Sequence, residues 1–220
     1  MSERPLALCF GVHNHQPVGN FEHVLEAAVA GAYRPFLERL RDRPQVRLTA
    51  HWTGGLLEWL RERAADTFDL LARLVGRGQV ELLTGGFYEP ILTILPDRDK
   101  VGQIQRLTEF IVEHFGVRPR GMWLAERVWE PHLPGALHEA GVEYVLVDDS
   151  HFGMAGVDPD ALGGYYLTED QGVVVRVFPI NQRLRYLIPF AEVEASVDYL
   201  ERRRGQVSAL TIVDDGEKFG

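Results

Sequence analysis

Carboxylates stand directly after two apolar, strand-like runs of this sequence. One run, at residues 209–213, delivers Asp214 and Asp215 before a glycine breaks it. The other run, at residues 121–124, is followed closely by Glu126. Parallel α/β sheets and barrels present catalytic carboxylates in this way, at the carboxyl ends of their strands. The sequence therefore predicts an active site in which Glu126 acts together with one of the two aspartates.

Acidic side chains beside tryptophan and tyrosine are typical of sites that process glycosidic bonds. One carboxylate attacks or stabilises an oxocarbenium-like centre, while a second donates a proton and recovers it. Arg127 stands beside Glu126 and would favour the ionised form that a nucleophile needs. Asp214 and Asp215 are adjacent like charges, so we expect one of them to keep a proton near neutral pH. A surface ion pair and a capped turn are the structural alternatives for these residues.

The elements that must position these groups follow an alternating pattern. Short β-rich runs alternate with segments of helical period, which predicts a mostly parallel α/β sheet or barrel. We expect strands at 6–12, 45–49, 80–83, 121–124, 144–147, 173–178 and 209–213. We expect helices at 24–41, 56–63, 67–76, 97–115, 132–140 and 191–204, with Asp97 as a cap. Residues 163–168 are expected to form a hairpin with the strand at 173–178.

Polar and aromatic side chains follow nearly every predicted strand. If the strands are parallel, these side chains gather at one end of the sheet. Aromatic rings stack on sugar faces and imidazoles bond to hydroxyls, so we expect a substrate site there. The histidines and tryptophans of this set are His13, His15, His51, Trp52 and Trp123. Ordinary capping and turn chemistry is the alternative interpretation of any single group.

Composition limits the partners and the cellular compartment that we expect for the protein. The formal net charge of −9 repels phosphate backbones, so no nucleic acid partner is expected. One cysteine, Cys9, excludes an internal disulfide and fits a reducing compartment; its apolar surroundings predict a buried, inert thiol. The apolar run at 6–12 is too short for a signal peptide core or a membrane span. We therefore expect a cytoplasmic protein with no membrane contact.

Four motifs resemble the signature regions of one enzyme family. They are HNHQP at 13–17, GGFYEP at 85–90, WLAERVW at 123–129 and DDGEKFG at 214–220. In this order they are similar to the first four regions of glycoside hydrolase family 57. The resemblance implies a (β/α)7 barrel, an incomplete TIM-like barrel. It also implies a retaining activity on α-1,4-glucans or maltooligosaccharides, of the 4-α-glucanotransferase or α-amylase branch, with no metal or organic cofactor.

The resemblance also implies roles for individual residues. Glu126 matches the family's nucleophile and Asp215 its general acid/base, with Asp214 as the alternative. Substrate subsites are implied for His13, His15, Glu89 and Trp123. Family members carry a fifth region and further domains, so we expect residues 1–220 to be a single catalytic domain truncated after the fourth motif.

Two other functions fit parts of the sequence. A metal-dependent carbohydrate deacetylase would use His13 and His15 with Asp214 or Asp215 as a zinc site. However, the histidines follow the first strand and the aspartates the last, and no helix offers a His-x-x-x-His spacing. A glucan-binding fragment without turnover is the second alternative, since its aromatic residues could hold a sugar without cleaving it.

Overall fold

The computed structural model describes residues 5–220 of the chain, and its centre is a ring of parallel strands. The strands are β1 (Ala7–Asn14), β2 (Leu48–Trp52), β3 (Val80–Leu83), β4 (Gly121–Trp123), β5 (Tyr144–Asp148), β6 (Tyr166–Asp170), β7 (Val173–Ile180) and β8 (Ala209–Asp215). Their order is β3-β2-β1-β8-β7-β5-β4, with every neighbouring pair parallel, and β6 lies antiparallel beside β7. A parallel bridge between Thr84 and Met122 joins the two edges. The predicted α/β fold, a nearly closed TIM-like barrel with seven parallel strands, is confirmed.

Helices cover the outside of this ring. They are α1 (Glu22–Ala28), α2 (Arg34–Arg41), α3 (Gly54–Arg63), α4 (Ala65–Gly76), α5 (Asp97–Phe115), α6 (Leu133–Glu139), α7 (Asp149–Met154), α8 (Gln182–Leu187) and α9 (Val193–Arg203). A π-helical turn, Val29–Tyr33, joins α1 to α2. The largest apolar cluster fills the space between β1–β3 and helices α1–α5. Among the helices of residues 5–220, none combines the length and apolar character needed to cross a membrane.

The helix α5 illustrates how sequence sets an element's bounds. Gly116 ends it with a φ of 69°, a left-handed conformation that glycine adopts without a steric penalty. The predicted cap at Asp97 is wrong, because Pro96 holds the N-cap position. The Asp97 carboxylate instead accepts a hydrogen bond from Nζ of Lys100 at 2.6 Å.

Side chains inside the ring divide it into two ends. An apolar plug of Leu83, Trp123, Leu146, Ile180 and Val213 fills the middle of the barrel. Polar side chains at the carboxyl ends of the strands lie on one side of this plug, and a second set at the amino ends lies on the other. The two mouths of the barrel are therefore chemically separate.

The structure differs from the sequence predictions in several features. Strand β2 begins at Leu48 rather than residue 45, because the side-chain amide of Gln79 binds the carbonyls of Leu40 and Arg43 and holds the preceding segment as a turn. Helices α7 and α8 were not predicted; the Asn181 cap of α8 accepts a hydrogen bond from the amide of Leu184. Cys9 is exposed rather than buried.

Candidate active site

A cluster of histidines surrounds one carboxylate at the carboxyl mouth of the barrel. This histidine cluster consists of His13, His15, His51, Glu89 and Trp123. Oε1 of Glu89 lies 3.0 Å from Nε2 of His13, and its Oε2 lies 2.5 Å from Nδ1 of His15. The indole of Trp123 donates to Oε1 of Glu89 at 3.1 Å and stacks on His13 with ring centroids 4.4 Å apart. Nδ1 of His51 lies 2.9 Å from Nδ1 of His13.

Burial and charge set the protonation of this cluster. Burial alone would raise the pKa of Glu89, but hydrogen bonds from His13 and His15 outweigh it and hold the pKa well below its ordinary value. Burial, reinforced by the neighbouring His13, lowers the pKa of His51 to about 3. The cluster at neutral pH therefore contains an ionised Glu89 and a neutral His51.

Glu126 lies beside the histidine cluster on the turn Ala125–Arg127, which follows β4. Burial alone would lower the pKa of His15, but the hydrogen bond to Glu89 and the charges of Glu89, Glu217 and Glu126 raise it. Glu126 is exposed and has a φ of 50°. Such left-handed conformations of non-glycine residues are uncommon and cluster at functional sites.

Arg127 does not have the expected role. Its Nε lies 2.9 Å from Oδ2 of Asp148, so the guanidinium forms an ion pair with a carboxylate at the end of β5 rather than with Glu126. Arg185 contacts the same carboxylate and also Oδ1 of Asp214, in both cases at 3.4 Å. These ion pairs tie the turn that carries Glu126 to strand β8.

The two aspartates of β8 have different environments. Asp214 is 1% exposed, and its Oδ1 lies 2.6 Å from Nζ of Lys218. Asp215 pairs with His13 in the register of β1 and β8, and its side chain is 45% exposed. Nζ of Lys218 lies 3.1 Å from Oδ2 of Asp215. Asp215 can therefore meet a substrate, whereas Asp214 is enclosed by cations.

Two further residues extend the site beyond those singled out from the sequence. Glu217, three residues after Asp214, accepts a short hydrogen bond from the hydroxyl of Tyr33 and another from the amide of Gln16 at 3.2 Å. Burial and the charge of Glu217 raise the pKa of Tyr33, so the phenol stays a donor. Tyr88 is 44% exposed and lines, with His15 and Glu89, an open cavity of about 440 Å³. The position of Tyr88 directly before Glu89 in the GGFYEP motif was the available sequence signal.

The predicted substrate-binding residues do not all face this cavity. His13, His15, His51, Glu89 and Trp123 converge, but His51 is 0% and Trp123 2% exposed, so both support the cluster from below. Trp52 lies elsewhere: it is 2% exposed and packs in the apolar cluster against Tyr33. Successive strand residues point to opposite faces, so only one of His51 and Trp52 can enter the barrel.

The geometry does not favour the zinc site considered from the sequence. His13 and His15 both contact Glu89 instead of Asp214 or Asp215. His13, His51 and Glu89 offer ligand atoms within 4.8 Å of one another. However, the two nitrogens of His13 face different partners, Glu89 and His51. Pairwise contacts between these side chains therefore account for the grouping without an ion.

Comparisons with known proteins identify the family of the chain. The profile of Glycosyl hydrolase family 57 matches residues 9–220. Alpha-amylase 1 of Dictyoglomus thermophilum is 49% identical over 212 residues, which cover 96% of this chain and 31% of that protein. A 4-alpha-glucanotransferase of Thermococcus kodakarensis is 48% identical over 213 residues, 96% of this chain and 32% of that protein. The chain thus spans about a third of the length of the curated relatives it matches.

Solved structures give the same result at the level of the fold. The crystal structure of a 4-alpha-glucanotransferase from Thermococcus litoralis superposes with a TM-score of 0.96 at 46% identity, covering 99% of this chain and 34% of that one. A putative polysaccharide deacetylase from Mycobacterium smegmatis has a TM-score of 0.63 at 14% identity, covering 98% of this chain and 78% of that one. At that identity the second likeness concerns the fold alone.

Proposed function

The chain belongs to glycosyl hydrolase family 57, and from this premise we propose that the complete protein is a retaining enzyme acting on α-1,4-glucans or maltooligosaccharides. Its activity is that of a 4-α-glucanotransferase or an α-amylase. Two observations support the proposal: the exposed Glu126 lies near His15 of the histidine cluster, and Asp215, whose side chain is 45% exposed, pairs with His13 of that cluster in the register of β1 and β8. The alternatives, a metal-dependent deacetylase or a binding protein without turnover, give Glu126 no role.

In the proposed reaction one carboxylate is the nucleophile and the other is the general acid/base. Glu126 attacks the anomeric carbon while Asp215 protonates the departing glycosidic oxygen, which yields a glycosyl-enzyme intermediate. Asp215 then takes a proton from the incoming hydroxyl as that oxygen attacks the anomeric carbon and releases Glu126. An incoming sugar hydroxyl gives transfer, and an incoming water gives hydrolysis. Retention requires the two carboxyl groups to approach to about 5–5.5 Å.

The remaining residues hold the sugar and the two carboxylates. His15 is the partly exposed histidine of the cluster, with 34% of its side chain accessible, and it lies near Glu126. We assign it a hydrogen bond to a substrate hydroxyl. Tyr88 offers an exposed ring beside it, on which a sugar face can stack. The buried His13, His51 and Trp123 keep Glu89 and His15 in place.

Location and partners complete the proposal. We assign the protein to the cytoplasm, because the single cysteine of these 220 residues can form no disulfide among them and fits a reducing compartment. The formal net charge of −9 favours a neutral sugar over a nucleic acid as partner.

The test uses the complete gene product and a maltooligosaccharide, with the products followed by chromatography. Glu126→Gln is expected to lower kcat by at least about 10³-fold, while the matched control Glu130→Gln, at an exposed position on the same segment, keeps it. Longer and shorter oligosaccharides together indicate a glucanotransferase, and shorter ones alone an amylase. Absence of turnover by the unmodified protein, or full turnover by Glu126→Gln, overturns the proposal. Binding without turnover, or acetate release from acetylated sugars with zinc, would point to the respective alternative.

A further inference from the structure

A second cavity opens at the amino mouth of the barrel, on the far side of the apolar plug. Its volume is about 420 Å³, within the range of roughly 300–1,000 Å³ that small-molecule sites occupy. We call it the mouth cavity. Inward-facing side chains of the strands line it, including Cys9, Thr49, Glu81, Tyr144, Arg176 and Thr211. Because Leu83, Trp123 and Val213 of the plug lie between the two mouths, this cavity is not part of the site that holds Glu126 and Asp215.

The charges that line the mouth cavity balance. Arg120 and Glu143 form a two-point ion pair, with N–O distances of 2.9 and 2.7 Å. Glu81 accepts a hydrogen bond from the hydroxyl of Tyr144 at 2.8 Å. Arg176 adds the second positive charge. Two carboxylates and two guanidinium groups leave no net charge to attract a phosphate or a cation, so the lining suits a neutral ligand.

One buried hydroxyl in the mouth cavity has only a weak partner within the protein. Thr211 is 5% exposed, and among residues 5–220 its Oγ1 interacts with the thiol of Cys9 alone, a weak hydrogen-bond partner. Thr211 pairs with Cys9 in the register of β1 and β8, so both side chains point into the cavity. A ligand hydroxyl placed beside Thr211 would give this buried hydroxyl a stronger partner than the thiol.

Aromatic rings form the remaining wall. Phe178 lies between Tyr144 and Tyr165, with ring centroids 5.3 and 5.6 Å away. Tyr165 is 55% exposed at the rim. Rings of this kind pack against the apolar C–H faces of a sugar, while threonine hydroxyls, Glu81 and Arg176 can bond to its hydroxyl groups.

We propose that the mouth cavity is a second sugar-binding site, which takes one or two neutral hexose units with a hydroxyl bonded to Thr211. Neutral charge, a buried hydroxyl with only a thiol as partner and an aromatic wall occur together there, and this combination fits a polyhydroxylated ligand better than an anion or an apolar molecule. The site lies at the opposite end of the barrel from Glu126 and Asp215, so it binds a sugar without processing it.

Cys9 provides the measurement, because it is the chain's one cysteine and is exposed to this cavity. The rate of its alkylation by iodoacetamide is followed by mass spectrometry with and without glucose or maltose. Bound sugar shields the thiol, so the rate should fall by roughly tenfold when the sugar is present at ten times its Kd. Glucose 6-phosphate should protect less than glucose. No slowing by either neutral sugar overturns the proposal.

Variants of residues that line the mouth cavity test whether sugar bound there protects Cys9 from alkylation. Thr211→Val should weaken the sugar's protection by about tenfold, judged from the ratio of rates with and without sugar in the same variant. Thr168→Val is the matched control, since Thr168 lines a different cavity. Tyr165→Ala, at an exposed ring, gives a second variant if Thr211→Val does not fold. Equal protection in Tyr165→Ala and the unmodified chain overturns the site.

The choice of maltose as a probe rests on the proposed glucan activity, which is measured separately. Turnover of glucan without protection of Cys9 overturns the mouth site alone. Protection of Cys9 without turnover overturns the proposed activity alone.

Discussion

Nε2 of His13 lies 3.0 Å from Oε1 of Glu89, and this contact joins the end of β1 to the loop that follows β3. His15 and Trp123 bind the same carboxylate, so two strands and one loop converge on a single group. Glu89 itself has a φ of 54°, an uncommon conformation for a non-glycine residue. We infer that Glu89 anchors the histidine cluster as an ionised carboxylate, which leaves proton transfer to Asp215.

The burial of His51 predicts an acid-sensitive fold. Its pKa is about 3 in the folded chain and 6.5 in the unfolded one, so the unfolded state binds an extra proton between these values. The contribution to stability is complete above pH 6.5 and declines by about 1.4 kcal/mol per pH unit below it. Glu89, whose pKa is lowered, adds to the acid sensitivity only near and below its ordinary pKa. The pKa of His15 is raised, so its contribution to stability is lost only as the pH rises above 6.5.

Urea unfolding between pH 5 and 6.5 measures this effect. The unmodified chain should lose roughly 2 kcal/mol over that interval through this residue, and His51→Gln should lose much of that pH dependence. His138→Gln, at an exposed position on α6, is the control and should retain it. An unchanged slope in His51→Gln would contradict a neutral, buried His51.

Asparagine substitutions should separate the two aspartates of β8. Asp215→Asn is expected to lower kcat by about 10²–10⁴-fold, because it removes the proposed proton donor, whose side chain is 45% exposed. Asp214→Asn is expected to destabilise the chain by about 3 kcal/mol, because it leaves Lys218 and Arg185 without their buried partner. Kinetics and thermal unfolding of both variants provide the check. Loss of activity without loss of stability in Asp214→Asn would transfer the acid/base role to Asp214.

A double-mutant cycle on Lys218 and Asp214 should reveal strong coupling. Burial alone would lower the pKa of Lys218, but hydrogen bonds to Asp214 and Asp215 outweigh it and raise the pKa. Since Asp214 is 1% exposed, Lys218→Met and Asp214→Asn should have a coupling free energy of about 1–3 kcal/mol in urea unfolding. Arg204 and Glu201 form the control pair: they lie equally close, at 2.6 Å, but both are about half exposed. Their coupling should stay near or below about 0.5 kcal/mol, and equal coupling in the two pairs would argue against a special role for burial.

Local signals predicted much of the barrel. Strand β3 was expected at 80–83 and lies there, because a glycine turn precedes it and its apolar run is short and unambiguous. Helix α5 was expected at 97–115 because its apolar spacing and its terminal glycine agree. The π-helical turn before α2 has no such signal, since its residues continue the helical period of their neighbours.

Contacts between residues distant in sequence could not be predicted from such local signals. Arg127 is adjacent to Glu126 in sequence, yet it binds Asp148 from a strand 21 residues away. Glu89 contacts His13 and His15, which precede it by more than 70 residues. Only closure of the strand ring brings these residues together. Strand alternation is a local signal that separates the two aspartates: it places Asp215 on the inward face with Val213 and turns Asp214 away.

The approach of Gly85 to His51 gives a last prediction, on how tightly the histidine cluster is packed. A Cβ atom on Gly85 would lie 2.5 Å from Nε2 of His51 and 3.3 Å from the carbonyl oxygen of Trp123. Because His51 is fully buried and cannot move aside, Gly85→Ala should cost about 1–3 kcal/mol of unfolding free energy and reduce glucan turnover. Gly102→Ala is the matched control within α5, where a Cβ meets nothing within 4 Å, and it should stabilise the chain by about 0.5–1 kcal/mol. Thermal unfolding and activity of the two variants are compared, and a Gly85→Ala protein as stable and active as the unmodified one would mean that the cluster has room to rearrange.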